Sequence, residues 1–497
     1  MRYRGVGSFA SATLISRILG LIRESTIAYI LGASNLSDAF YVAFRIPNIF
    51  RDIFAENAVQ AALIPAYFRA RENRREAQFL GSSLLFFGGV TLIVSLLGIL
   101  FSNVIVTIFA YGFKSNPEKF NVTVRLTRIT FPYLWLISLA AFVGGVLNIY
   151  RRFFVPALGP VFFNIGVIAT ALIGYGLTGS PLKSLFFIAL GVLVGGALHL
   201  LFQIPFLIRE RPAFKFRGFK IPEFNMFLKL LSPVFLNTGF SRLTLFVNTF
   251  IASFLGGGAI SYLNFAFRLM QLPIGLFGVG VSTVVNPDIA EKVARREDPA
   301  DVITEGIRLT LILTLPFLAI FIADARGVID LIYKRGNFGE TALMKTSLAL
   351  IFYSLSIVPV SISKILLQFF YAKNTIVVPN RVFAISAISN ILFSIFLGFS
   401  IGFSGLALAT SISSFIQLIL LFFYLKGELS LSTRGIPKII LINLVMFMFF
   451  SLKFGNPRID LVADIAGGAI IYISLLFLFK IEEVQKILHM ISTPKST

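Results

Sequence analysis

Long apolar runs, separated by short polar and basic loops, dominate the pattern along this chain. A helix that crosses a membrane needs about 20 predominantly apolar residues. Fourteen stretches meet this requirement, at 6–32, 37–68, 79–110, 124–150, 155–178, 184–208, 225–255, 259–290, 302–323, 343–371, 377–400, 404–425, 436–453 and 460–480. We therefore predict an all-α polytopic membrane protein with fourteen transmembrane helices.

Composition supports this fold class and removes several kinds of chemistry. The chain of 497 residues is 57% hydrophobic and 13% charged, whereas soluble domains carry about 25% charged residues. It has no Cys and only two His, so thiolate or His-based metal sites and Ser-His-Asp triads are not expected. Phosphate-binding and dinucleotide-binding loops are missing too. We expect a transporter without cofactors rather than an enzyme.

The basic residues predict the orientation. Twenty-three of the 44 basic residues fall in one set of alternate loops, and eight fall in the other. The positive-inside rule then places both termini in the cytoplasm. The net charge of +21 is mostly a topology signal, and nucleic acid is not an expected partner.

Short matching segments indicate an internal repeat. Ser16-Arg17, Leu31-Gly32 and Ala43-Phe44-Arg45 recur in order as Ser241-Arg242, Leu255-Gly256 and Ala266-Phe267-Arg268. Repeats of this kind are usual in secondary transporters, with the substrate site between them near the membrane midplane. We predict two six-helix lobes at 1–222 and 223–430, with two further helices and the tail at 431–497. The end of that tail, 481–491, fits either a surface helix or a solvated segment.

The first two predicted spans are dense in charge. They contain Arg17, Arg23, Glu24, Asp38, Arg45, Arg51, Asp52 and Glu56. At about 100° per residue, the acids share helix faces with Arg17 and Arg45. This geometry leaves Arg23, beside Ser16, and Arg51 without a carboxylate on their own faces. The alternative is that all eight charges are paired and structural.

The second half of the chain has intramembrane cations with no acidic neighbour on their own helix, namely Arg242, Arg268 and Lys364, since the only acid in the span 259–290 is Asp288 at its end. Charges in mid-span are costly unless they face a cavity or a partner. A cavity lined by Arg23, Arg51, Arg268 and Lys364 would be strongly positive. Because the guanidinium fork suits phosphate oxygens, we predict an anionic substrate such as a phosphate or diphosphate.

The residues in several of these segments resemble the MurJ (MviN) family of lipid II flippases. The matching segments are Ser16-Arg17-Ile18-Leu19-Gly20-Leu21-Ile22-Arg23-Glu24, Asp38-Ala39-Phe40, Phe44-Arg45-Ile46-Pro47-Asn48, Phe54-Ala55-Glu56, Arg268-Leu269-Met270, Lys334-Arg335-Gly336, Phe370-Tyr371-Ala372 and Gly405-Leu406-Ala407-Leu408-Ala409-Thr410-Ser411. The resemblance implies a MATE-like fold with two lobes, in the multidrug/oligosaccharidyl-lipid/polysaccharide exporter superfamily. It also implies a central cationic cavity and a lipid-tail groove formed by the last two helices.

The resemblance further assigns residues. The family's essential cavity arginines match Arg23, Arg51 and Arg268, and further important family positions match Arg17, Asp38 and Glu56. Phe267 and Gln271 stand where some members have acids, and the seventh and eleventh helices lack the acids that bind sodium in some members. Sodium coupling is therefore not expected, and the membrane potential is the candidate drive.

We accordingly predict a monomeric lipid II flippase of the bacterial inner membrane that works by alternating access. Its expected partners are lipid II and the surrounding membrane lipids. Predicted substrate contacts are Arg23, Arg51, Arg268, Arg17, Ser16 and Lys364, and predicted structural or gating residues are Glu24, Asp38, Arg45, Asp52 and Glu56. Three alternatives stay open. They are a flippase for another polyprenyl-diphosphate oligosaccharide, a drug or cation antiporter, and a membrane enzyme acting on polyprenyl phosphates.

Overall fold

The computed structural model describes residues 2–53, 58–452 and 457–479, together with Ile481, Glu483 and Gln485. All regular structure within these residues is helical, so the predicted all-α polytopic fold is confirmed. The chain forms two compact units, Met1–Ser261 with Arg335–Gly339, and Tyr262–Lys334 with Glu340–Thr497. The predicted lobe boundary at 222 and 223 stays a prediction, because compactness does not test a sequence repeat.

The helices of the first unit are α1 (Arg2–Leu31), α2 (Asn35–Arg51), α3 (Ala58–Glu72), α4 (Glu76–Leu100), α5 (Ser102–Phe109), α6 (Pro117–Thr130), α7 (Pro132–Ile149), α8 (Phe154–Thr178), α9 (Pro181–Glu210) and α10 (Pro222–Ala252). The chain then continues through α11 (Ala259–Pro273), α12 (Val279–Ala294), α13 (Ala300–Ala323), α14 (Ala325–Tyr333), α15 (Glu340–Ser354), α16 (Ile357–Ala372), α17 (Val377–Ile401), α18 (Phe403–Leu425), α19 (Ile436–Ser451) and α20 (Pro457–Leu478).

Each predicted span coincides with one helix or with two consecutive helices. Within the described residues, nine helical stretches are long and apolar enough to cross a membrane, and shorter apolar helices occupy Arg242–Ala252, Ile436–Ser451 and Ala466–Leu478. The first two predicted spans are helical as well, but their charges make them less apolar.

A proline in α2 shows how the fold satisfies its backbone. Pro47 has no N–H and cannot bond to the carbonyl of Ala43, four residues earlier. The Thr130 hydroxyl at the end of α6 donates to that carbonyl instead, at 2.9 Å. Because an unsatisfied backbone group in lipid costs several kcal/mol, this bond ties α2 to α6.

Helices α8 and α9 pack closely at glycines. A Cβ on Gly195 would lie 2.6 Å from the Phe163 carbonyl oxygen, and one on Gly166 would lie 2.6 Å from the Gly195 Cα. Small residues allow backbones to approach in this way, which is a main source of helix association in membranes.

A buried ion pair joins α2 and α6 to the turn that precedes α11. The Asp38 carboxylate, which is fully buried, accepts bonds from the Lys119 ammonium at 2.7 Å and from the backbone N–H groups of Gly258 at 2.7 Å and Ser261 at 2.9 Å. The glycine-rich turn needs positive φ at Gly256 (+91°) and Gly258 (+85°), as expected for a tight turn. Asp38 therefore lies in a buried hydrogen-bonded network, and its predicted structural or gating role stays a prediction.

The loop Arg335–Gly339 belongs to the first unit. The Asn337 backbone N–H donates to the Tyr29 carbonyl at 2.9 Å, and its side-chain amide donates to the Ile30 carbonyl at 2.7 Å. Gly336 has φ +57°, and a Cβ there would lie 2.4 Å from the Tyr29 carbonyl oxygen. Part of the Lys334-Arg335-Gly336 segment thus closes the C-terminal end of α1.

The α8–α9 contact predicts a stability effect. Gly195→Ala should destabilise the protein by about 1–3 kcal/mol, because its new methyl group meets backbone atoms that have no room to move. The midpoint of thermal unfolding of the purified protein measures this. Gly176→Ala on α8, where a Cβ meets nothing within 4 Å, should be neutral. Equal midpoints for the two variants would contradict the prediction.

The Asp38–Lys119 pair predicts a coupled effect. Asp38→Ala should cost about 3–5 kcal/mol of stability, because it leaves a buried ammonium without its counter-charge. Asp38→Ala/Lys119→Met removes both charges and should recover part of the loss. Chemical denaturation of both variants in detergent measures the difference. A double variant no more stable than the single variant would show that the ion pair is not the cause.

Candidate functional site

Arg23 lies in a closed polar pocket of the first unit. Only 7% of it is exposed. Its guanidinium donates to the Asn164 carbonyl oxygen of α8 at 3.1 Å and to the Glu24 carboxylate at 2.6 Å. The same guanidinium lies over the rings of Phe44 and Phe163, at 5.8 Å and 5.6 Å. One carboxylate, one neutral amide and two aromatic faces thus hold its position.

The carboxylate beside Arg23 is itself anchored. The Tyr41 hydroxyl of α2 donates to the second oxygen of Glu24 at 2.7 Å, and the Asn164 amide donates to the Ser16 carbonyl at 3.2 Å. This network joins α1, α2 and α8, so the site depends on the packing of these three helices.

A second arginine–carboxylate pair ends α2. Arg51 donates to Asp52 from two nitrogens, at 3.1 Å from Nε and at 2.6 Å from Nη2. The other oxygen of Asp52 lies 3.1 Å from Arg242 Nε on α10. Asp52 thus lies between two arginines. The Arg51 side chain is 30% exposed, so solutes reach it more easily than they reach Arg23.

These pairs correct one step of the sequence analysis. Helical geometry left Arg23 and Arg51 without carboxylates, yet each pairs with the acid that follows it in sequence. The error comes from the assumption that each side chain stays at the angle that its Cα position on the helix gives it. A long, flexible arginine can turn toward an acid one position away when neighbouring helices enclose both side chains. Paired charges, the alternative that we left open, describe these four residues.

The other predicted residues of the first unit lie at several places. The Arg45 guanidinium donates to the Thr249 hydroxyl of α10 at 2.9 Å. Arg17 and Ser16 are half-buried on α1. Glu56 lies outside the described residues.

The predicted cations of the second unit are both half-buried. Arg268 is on α11 and Lys364 is on α16. The Lys364 carbonyl accepts a bond from the Ser282 hydroxyl of α12 at 3.0 Å, which connects α16 to α12. Their predicted contact with substrate stays a prediction.

A cavity of about 200 Å³, lined by both apolar and polar side chains, opens beside Arg51 within the first unit. Its other polar side chains, Gln60, His199 and Gln203, are neutral amides and an imidazole. Gln203 is 1% exposed, and its Oε1 atom has no hydrogen-bond partner among the described residues. Such a buried acceptor is costly to leave unpaired, so the cavity is suited to a donor from a bound molecule.

The second unit contains an apolar cleft of about 330 Å³, formed mainly by α13, α19 and α20. Pro316 frees the carbonyl of Ile312, and the Tyr472 hydroxyl donates to it at 2.7 Å. A Cβ on Gly468 would lie 2.5 Å from the Phe450 ring. The walls are hydrocarbon, and they suit an aliphatic chain. The two last helices thus line an apolar surface, and its use as a lipid-tail groove stays a prediction.

Sequence reasoning missed several residues of these sites. Asn164, His199 and Gln203 are polar residues inside otherwise apolar spans. Their polarity in those spans was the sequence signal that could have identified them. Lys119 was counted among loop cations, although it is buried against Asp38. In the described part of the chain, no group of three or more His, Cys, Asp or Glu residues is arranged to hold a metal ion.

Comparison with known proteins agrees with this architecture. The family model described as lipid II flippase MurJ matches residues 27–456. A probable lipid II flippase MurJ of Buchnera aphidicola is 34% identical over 83% of this chain and 82% of its own. The Thermotoga maritima relative, with the same description, is 31% identical over 97% of this chain and 98% of its own.

Solved structures extend the likeness to the fold. A lipid II flippase MurJ in an inward closed conformation superposes with a TM-score of 0.84 at 29% identity, covering 96% of this chain and 99% of that one. An inward-facing multidrug resistance MATE transporter of the MOP superfamily gives a TM-score of 0.66 at 14% identity, over 84% and 98% of the two chains, which shows a shared fold. This multi-pass membrane protein belongs to the MurJ family of lipid II flippases.

Proposed function

We propose that this protein is a lipid II flippase. It moves a peptidoglycan precursor, linked by a diphosphate to a polyprenyl chain, from the inner to the outer leaflet by alternating access. The observation that carries this proposal is the pair of arginines, Arg23 and Arg51, each oriented by a carboxylate inside an apolar helical unit of a chain from this family. A diphosphate presents the oxygens that such arginines bind best.

The carboxylates suggest how a phosphate is bound and released. In the empty protein, Glu24 and Asp52 neutralise the arginines, so no unpaired charge is buried. An arriving diphosphate takes over some of the arginine N–H groups, and the carboxylates turn away. When the substrate leaves, they return. Binding is therefore an exchange of partners, in which phosphate oxygens replace carboxylate oxygens at the arginine N–H groups.

The side chains that line the two cavities match the chemistry of the two ends of such a substrate. The neutral polar side chains beside Arg51 suit the hydroxyl and amide groups of a sugar-peptide headgroup. The cleft of α13, α19 and α20 suits the polyprenyl chain. A headgroup of another carrier lipid would fit the same neutral groups, so competition between headgroups in a flipping assay distinguishes the two substrates.

The remaining parts of the proposal follow from the sequence. The protein acts in the bacterial inner membrane with both termini in the cytoplasm, because its basic loops alternate. It acts as a monomer, without a cofactor and without covalent chemistry. Arg268 adds a third predicted contact to the diphosphate.

Purified protein in liposomes, supplied with lipid II in one leaflet, tests the function directly. Conversion of the lipid without transport would contradict the proposed function.

The arginine clamp predicts a loss of transport. Arg51→Ala and Arg268→Ala should each lower the flipping rate by about tenfold to a hundredfold, because each removes charge-assisted hydrogen bonds to phosphate. A fluorescence flipping assay in liposomes measures the rate. Arg152→Ala, which removes an exposed arginine paired with Glu210, should retain the flipping rate of the unaltered protein. Full activity of Arg268→Ala would exclude Arg268 from the clamp.

Drive by the membrane potential, rather than by sodium, predicts that the flipping rate depends on voltage. An interior-negative potential favours outward movement of the anion by roughly 2.3 kcal/mol per charge per 100 mV. In liposomes, a potassium-diffusion potential that is negative on the side of the substrate should accelerate flipping, and sodium should have no effect. Equal rates with the potential imposed and collapsed would contradict a voltage drive.

A further inference from the structure

The apolar cleft has a basic pocket at one end. This pocket of about 110 Å³ is lined by Arg308, Arg434, Gly435, Lys438, Ile439, Ile481 and Glu483. Its three cations and one carboxylate give a net charge of +2. It lies outside the charge-dense helices α1 and α2, and the function proposed above does not use it.

The floor of the pocket is rigid. Arg308 Nε lies 2.5 Å from the Glu483 carboxylate, with side-chain exposures of 12% and 3%, and its Nη1 donates to the Arg434 carbonyl at 3.1 Å. Gly435 has φ +85°, and a Cβ there would lie 3.5 Å from the Arg308 side chain. The segment before α19 therefore packs on Arg308, while the side chains of Arg434 and Lys438 are exposed.

The pocket and the apolar cleft lie along the same helices. Ile312 of the cleft is one turn after Arg308 on α13, and Met446 is two turns after Ile439 on α19. At 1.5 Å per residue, the pocket lies about 6–10 Å from the cleft along the helix axes. The basic end is the one that the positive-inside rule assigns to the cytoplasm, where lipid headgroups of the inner leaflet lie.

We propose that this pocket binds the diphosphate of a polyprenyl lipid in the inner leaflet, with the polyprenyl chain in the apolar cleft. The charge of +2 matches a diphosphate better than the single charge of an ordinary phospholipid. Basic clusters at this depth attract anionic lipid headgroups. The site holds the substrate before it reaches Arg23 and Arg51. This inference rests on the proposed function for the identity of its lipid, but not for its geometry.

The test counts diphosphate lipids bound to the full-length protein. Native mass spectrometry with undecaprenyl diphosphate, in the Arg51→Ala background that weakens the other site, should show one bound lipid. Adding Arg434→Gln and Lys438→Gln should weaken this binding by about thirtyfold, since each basic residue near a lipid surface contributes appreciably to binding. Both positions are exposed, so the folding of the variant should be unaffected.

The controls separate charge, chain and site. Arg295→Gln/Lys426→Gln removes two exposed cations outside the pocket and should leave binding unchanged. Undecaprenol, which lacks the phosphates, and phosphatidylglycerol should both bind at least tenfold more weakly than undecaprenyl diphosphate. Ala469→Phe, which fills the cleft, should weaken the binding of undecaprenyl diphosphate as well.

Two results would overturn the proposal. One is equal binding by the Arg434→Gln/Lys438→Gln variant and its Arg51→Ala parent. The other is binding of phosphatidylglycerol as strong as that of the diphosphate, which would make the pocket a general anionic-lipid site. Neither result would affect the proposed transport, which is measured separately by lipid II flipping. Conversely, loss of flipping with this binding intact would contradict only the arginine clamp.

Discussion

The hydrocarbon core of a membrane offers no water, so each polar group placed there must find its partner within the protein. Much of this structure answers that constraint. Asp38 receives an ammonium and two backbone N–H groups. The carbonyl freed by Pro47 receives a threonine hydroxyl. These bonds fix α2 against α6 and the turn before α11, and α2 in turn carries Arg51.

The same constraint shapes the site. An arginine buried in an apolar unit without a counter-charge is too costly to maintain, so an anion-binding protein needs carboxylates to occupy its arginines between substrates. Glu24 and Asp52 do this, and Tyr41 and Arg242 hold those carboxylates in turn. The number of acids among the first helices is therefore compatible with an anionic substrate.

Prediction from sequence succeeded where the signal is an average over many residues. Apolar run lengths located the helical segments. It failed where the outcome depends on a single side chain. Whether Arg23 meets Glu24 depends on Asn164 and Phe163 of α8 and on Phe44 of α2. These residues lie on other helices than Arg23. Helical angles within α1 contain no information about these neighbours. The buried position of Lys119 was hidden for the same reason, because loop membership says nothing about a partner on α2.

Anion exchange at the arginines also bears on how strongly the protein binds its cargo. A phosphate that displaces a carboxylate gains only the difference between two similar ionic interactions, not the full strength of an arginine–phosphate bond. For a carrier this is an advantage, because a substrate bound with the full strength of several buried arginines would leave slowly. The cleft of α13, α19 and α20 contributes hydrophobic contact, but a polyprenyl chain makes similar contact with the surrounding lipid. Specificity must then come from groups that lipid cannot replace, and the neutral polar cavity beside Arg51 is where the described residues offer them.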